Sequence, residues 1–320
     1  AAACEALAAC LSDENREVRV AAALALSSCG TRGSVPLLAE AASDADPVVS
    51  QAAAVALENL TGRAASGDWG AWLRSADWAR IEKELAGKLA GDDRDAVRRA
   101  AVALGHIGAG EDARGALRDT LRRMRDDTAY VEWRKHHRGD GAKFLATDPV
   151  NPRTVQEVAR ALGRLKDAAA VPLLTETLKR HADPDTGNLF LAEAAVEALG
   201  LIGTREAEAA LLETFAGLKE YPQHTSWYGD HPALMACHAS PVHLRMVEAL
   251  DLMASTNALA LLPHLIRCVP TDPDRALFLP NDDCETLIGR VLRRQAAEAR
   301  VTETCLSMLG DAQARRDAAR

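Results

Sequence analysis

Aromatic residues are scarce in this chain, at 4% of 320 residues, while 48% are apolar. A core built around large rings is therefore excluded. The apolar mass is mainly Ala and Leu, which suits closely packed helices of good intrinsic propensity. Long hydrophobic runs are missing as well, and no stretch approaches the ~20 apolar residues of a membrane-spanning helix. Basic charge is not in excess: the net charge is −8 and the pI about 5.6. Generic binding to a phosphate backbone is disfavoured on such a surface, so nucleic acid is not the expected partner. The seven cysteines form no C-x-x-C pair. Buried reduced thiols in a cytoplasmic protein are the expected arrangement, with Cys29 among the small apolar positions of a helix. Gly-x-Ser-x-Gly, a phosphate loop and His-Glu-x-x-His are also absent, which removes the common hydrolase, nucleotide and zinc-protease signatures.

A short signature recurs six times. Ala-Leu, often followed by Gly, ends an apolar stretch at Ala25-Leu26, Ala56-Leu57, Ala103-Leu104, Ala161-Leu162, Ala198-Leu199 and Ala249-Leu250. Aligned on the Leu, the positions four and three before and three after are small or apolar in every instance. These offsets trace one stripe of an α-helix. Asp46-Pro47, Asn151-Pro152 and Ser240-Pro241 mark helix starts, each placing a capping side chain before a proline. Gly30, Gly62, Gly108 and Gly203 mark stops. Second helices follow, opening at Val35-Pro36 and Val171-Pro172 and including Leu211-Leu212 and Leu261-Leu262. The residues before Ser12, with Leu7 and Leu11, read as the second helix of a preceding unit, so the array is expected to begin before residue 1.

Asp92 to Gly108 reproduces the pattern Asp-x-x-x-x-Val-Arg-x-x-Ala-x-x-Ala-Leu-Gly-x-Ile-Gly nearly whole, with Val97, Arg98, Ala103, Leu104, Gly105, Ile107 and Gly108, and resembles the bacterial HEAT repeat of the phycobilisome-lyase-like kind. The resemblance covers about residues 1–267. It implies an all-α fold, an α-solenoid coiled as a right-handed superhelix of six to seven helix pairs. Residues 1–320 are expected to form a single solenoid, with an irregular stretch and terminal capping helices over 268–320. The resemblance carries no activity with it. The His-Glu dipeptides by which HEAT-type deoxyhypusine hydroxylase holds iron do not occur here.

Spacings between anchors are 31, 47, 58, 37 and 51 residues. The shortest is the bare unit, and the excess in the others measures insertions. All Trp and Tyr residues fall within these insertions. Trp69, Trp72 and Trp78 are spaced to fold back onto the solenoid. The segment from Arg114 to Lys143 holds nine basic and five acidic residues and includes Tyr130, Trp133, Arg134 and Arg138. A further insertion carries Trp227 and Tyr228. Exposed aromatics beside arginines are good anchors for an acidic partner. The expected function is a non-catalytic scaffold that binds a protein or peptide through its groove and these six residues, without a cofactor. Two alternatives stay open. His224, His231, Cys237 and His238 are zinc- or iron-type ligands, although their spacing matches no standard motif. The 114–143 segment interleaves basic and aromatic residues as nucleic-acid binders do.

Overall fold

The computed structural model describes residues 2–64, 68–125, 152–182, 188–218, 241–266, 281–295 and 310. Among the described residues there are fifteen α-helices and no strand, the all-α architecture of a helical solenoid. The chain divides into two compact units, one of Ala1–Arg125 with Arg153–Asp167, the other of Asp126–Pro152 with Ala168–Arg320.

Unit 1 contains α1 (Ala2–Ala9), α2 (Arg16–Cys29), α3 (Val35–Ala41), α4 (Pro47–Thr61), α5 (Trp69–Arg74), α6 (Trp78–Leu89), α7 (Arg94–Ile107), α8 (Glu111–Arg125) and α9 (Pro152–Arg164). Helix starts follow the capping rule. Asp46 accepts from the amides of Val48 and Val49, and Asp93 from those of Asp95 and Ala96. Each such cap satisfies donors that the first turn leaves open. Pro152 opens α9 as expected, while Asn151 lies outside the described residues. At the far ends, Gly62 adopts φ +66°, where a side chain would be strained. Gly30 is also a stop, but in an extended conformation. It is required for space, since a Cβ there would lie 2.4 Å from the Leu26 carbonyl oxygen.

The anchor leucines Leu26, Leu57, Leu104 and Leu162 are fully buried. Burying each such side chain contributes about 1.5–3 kcal/mol. The positions four before are buried too. Three places after the anchor the expectation fails in part: Leu60 is buried, Ile107 and Leu165 are half-buried, and Cys29 is exposed. Cys29 is the last residue of α2, and there its side chain reaches solvent while its carbonyl is covered by Cys4 of α1. Consecutive units are tied at their starts by Arg19 of α2, whose Nε donates to Asp44 at 2.9 Å ahead of α4. In the following unit Ser50 replaces the arginine and donates to the Ala42 carbonyl at 2.7 Å.

Unit 2 contains α10 (Val171–His181), α11 (Leu189–Ile202), α12 (Arg205–Gly217), α13 (Pro241–Leu252), α14 (Ala258–Ile266) and α15 (Asn281–Arg294). Its stripe is larger, with Val196, Val247 and Met246 buried around Leu199 and Leu250. Gly200, directly after its anchor, takes Ala249 of α13 so closely that a Cβ would lie 2.7 Å from the alanine methyl. Gly105 in unit 1 receives Ala161 in the same manner, at 3.0 Å from its Cα. Ala-Leu-Gly is thus a joint: the glycine of one unit seats the alanine of a later signature.

Candidate functional site

Tyr130, Trp133, Arg134 and Arg138 lie outside the described residues, as do Trp227, Tyr228, His224, His231, Cys237 and His238. The helices around them are placed. α8 ends at Arg125 before the first group and α9 opens at Pro152 after it. α12 ends at Gly217 and α13 opens at Pro241 on either side of the second. His243, in the first turn of α13, is a core residue at 1% exposure, its ring edge-on to Phe215 with centroids 4.9 Å apart. Among the described residues no group of three or more His, Cys, Asp or Glu is placed to hold a metal.

The first insertion behaves as its spacing predicts. Asp68 caps α5 by accepting from the Ala71 amide at 3.0 Å. Trp69 is buried, and Trp72 and Trp78 pack partly buried against the same core of α1–α4 residues. The rings meet edge to face, Trp69 with Trp72 at 5.6 Å and Trp72 with Trp78 at 5.9 Å. Arg63 lies over the first two rings and Arg32 over the third. The cluster seals an edge of the core, with cations placed on the negative ring faces.

A second cluster, which the sequence did not announce, gathers where α2 ends. The His106 ring of α7 lies 2.8 Å from the Gly30 carbonyl oxygen through Nδ1. A carbonyl only accepts, so the ring donates from Nδ1. Arg164 of α9 donates to the Ser28 carbonyl at 3.3 Å. Both side chains stand two residues after an anchor Leu and answer carbonyls that the last turn of α2 leaves open. Burial, with help from nearby Arg164, pushes the His106 imidazole down to about 4, against the opposing bond to Gly30. It is neutral at pH 7. The Cys4 thiol of α1 donates to the Cys29 carbonyl at 2.9 Å. Partial burial of its sulfur and the adjacent Cys4 thiol push the Cys29 thiol up, while Arg164 pulls the other way. The expectation of buried thiols is corrected here: Cys29 is exposed, and Cys4 and Cys10 are half-buried. The shared alignment position of Ser28, His106 and Arg164 was the available signal for this junction.

Unit 1 also presents apolar side chains to solvent. Leu24 and Val55, each two places before its anchor, are 51% and 37% exposed, and Val48 is 45% exposed. In unit 2 the distinctive group is Asp251, whose carboxylate accepts from Arg290 Nε at 2.9 Å and faces Arg294 at 3.2 Å. The carboxylate is buried, while both arginines are half-exposed.

Two family profiles match parts of the chain. A profile described as HEAT repeats matches residues 1–67, and one described as PBS lyase HEAT-like repeat matches residues 156–180. The chain contains HEAT repeats. The first match spans α1–α4, including the joint of Arg19 with Asp44. The second spans most of α9 and α10. No curated protein matches this HEAT-repeat chain. Among solved structures, 97% of it aligns with 88% of an engineered protein at 17% identity and a TM-score of 0.23, too low to bear on fold or function. No described helix is long and apolar enough to cross a membrane.

Proposed function

We propose that this HEAT-repeat protein is a non-catalytic scaffold that binds a protein or peptide. HEAT repeats commonly serve as interaction scaffolds. The observation that carries the reading is the solvent face of α2 and α4. Leu24 and Val55 occupy the same aligned position in consecutive repeats and remain exposed, as does Val48, although the anchor leucines and the positions four before them are buried. Repeated exposed apolar positions on a rigid array suit a partner-binding face. The proposed binding surface also draws on the solenoid groove and the two long insertions. Tyr130, Trp133, Trp227 and Tyr228 are its proposed anchors, and Arg134 and Arg138 draw an acidic partner. Free thiols at Cys4, Cys10 and Cys29 suit a cytoplasmic setting.

Affinity capture with the intact chain tests this. A protein retained by the wild type should be lost from Trp133→Ala/Trp227→Ala and weakened by Leu24→Ser/Val55→Ser. Retention unchanged in both variants would sink the reading.

A further inference from the structure

We propose that Cys4 and Cys29 are a redox pair that closes into a reversible disulfide when the chain meets a peroxide. The geometry of the α1–α2 junction carries the inference. The Cys4 sulfur sits 2.9 Å from the Cys29 carbonyl oxygen, so the two cysteines are in contact across the junction. A disulfide requires short approach between the two Cβ atoms, and residues already in contact need only rotamer changes and local adjustment at the helix ends to attempt it. Cys29 is exposed, so an oxidant reaches it from solvent, while Cys4 lies half-buried behind it. Partial burial and the Cys4 thiol hold the Cys29 thiol above its ordinary value and outweigh the Arg164 guanidinium at the adjacent Ser28 carbonyl, so oxidation starts from a minor thiolate fraction.

The step balances with a peroxide as oxidant. The Cys29 thiolate attacks one peroxide oxygen, breaking the O–O bond, giving a sulfenic acid and releasing water after protonation. The Cys4 thiol then attacks the Cys29 sulfur, forming the S–S bond and expelling a second water. Two thiols lose two electrons and two protons, and the peroxide is reduced to two waters. The product pins α1 to the last turn of α2 across a separation of 25 residues. Thiol exchange with a small dithiol reverses it.

The full chain, reduced and desalted, is treated with hydrogen peroxide, denatured, alkylated and digested for mass spectrometry. The Cys4–Cys29 linked peptide is expected to exceed any other disulfide by about tenfold and to vanish on treatment with dithiothreitol. Cys10→Ser should leave the link intact. Cys29→Ser should abolish it and leave Cys4 open to alkylation. The Cys29 side chain is exposed, and circular dichroism verifies that the Cys29→Ser fold is unchanged. The proposal is overturned if Cys4 and Cys29 stay fully alkylatable, if they carry sulfinic acid without a link, or if Cys4 pairs preferentially with another cysteine.

Discussion

The end of α2 in unit 1 and the end of α13 in unit 2 are held with opposite chemistry. In unit 1 the open carbonyls at the end of α2 receive donors from other helices, a neutral imidazole at His106 and a guanidinium at Arg164. In unit 2 the position after the Leu250 anchor is neither a glycine nor a donor. It is Asp251, a carboxylate taken fully out of solvent and answered by Arg290 and Arg294 of α15. Arg294 also donates to the Asp251 carbonyl at 2.8 Å. The first arrangement leaves the charge near the rim and buries a neutral group. The second buries the charge and leaves its counter-ions half in water. A buried ion is tolerated only while paired, so unit 2 depends on its arginines more than unit 1 depends on Arg164.

The largest effect should come from stripping that pairing. Arg290→Met/Arg294→Met leaves the Asp251 carboxylate buried without a partner and should cost about 3–5 kcal/mol. Arg164→Met removes one rim donor and should cost about 1 kcal/mol. Urea unfolding monitored by circular dichroism measures both. Equal losses in the two variants would erase the distinction between the units.

Mild acid should separate them next, acting through His106. Its folded value of about 4 lies below the ordinary 6.5, so the unfolded chain binds the proton first. Stability from the neutral ring is fully present above pH 6.5 and is lost as the pH falls toward 4. Between pH 7 and 4.5 the loss attributable to this group is about 2–3 kcal/mol. His106→Asn keeps a donor for the Gly30 carbonyl and cannot titrate. Its unfolding free energy should therefore fall less over that interval, by about the same amount. A pH profile parallel to the wild type would remove His106 as the acid-sensitive group.

The contrast also marks what the sequence could disclose. The 3.6-residue period makes the Leu anchors and the position four before them legible, because both face the neighbouring helix along its whole length. Cys29 misleads because the stripe continues on paper while α2 stops. Trp69, Trp72 and Trp78 are legible as packing residues from their spacing alone. The contact of His106 with Gly30 joins residues 76 apart, and Asp251 with Arg290 joins residues 39 apart. Both require the helix ends to be brought together, which no local pattern encodes. The proposed anchors in the two long insertions were legible only as composition, since neither helical period nor cap defines their placement.

The smallest effect concerns the joint that both units share. A glycine after the anchor lets the alanine of a later signature touch backbone. At Gly200 an added methyl would lie 2.7 Å from the Ala249 Cβ and 2.9 Å from its Cα; at Gly105 the corresponding distances to Ala161 are 3.2 Å and 3.0 Å. Two terms compete in a Gly→Ala change. Helix propensity gains up to about 1 kcal/mol, and overpacking costs about 1–3 kcal/mol. At Gly200 the obstruction includes the Ala249 backbone, which cannot rotate away, so overpacking wins and Gly200→Ala should cost about 1–2 kcal/mol. At Gly105 the nearest atom is also backbone, the Ala161 Cα, but it needs to give by only a few tenths of an ångström, so Gly105→Ala should cost less than Gly200→Ala. Ala249→Gly removes the methyl side of the clash, so the pair Gly200→Ala/Ala249→Gly should be less destabilised than the two single changes added together. Strict additivity in that cycle would mean that Gly200 is set by its own backbone rather than by the alanine it receives.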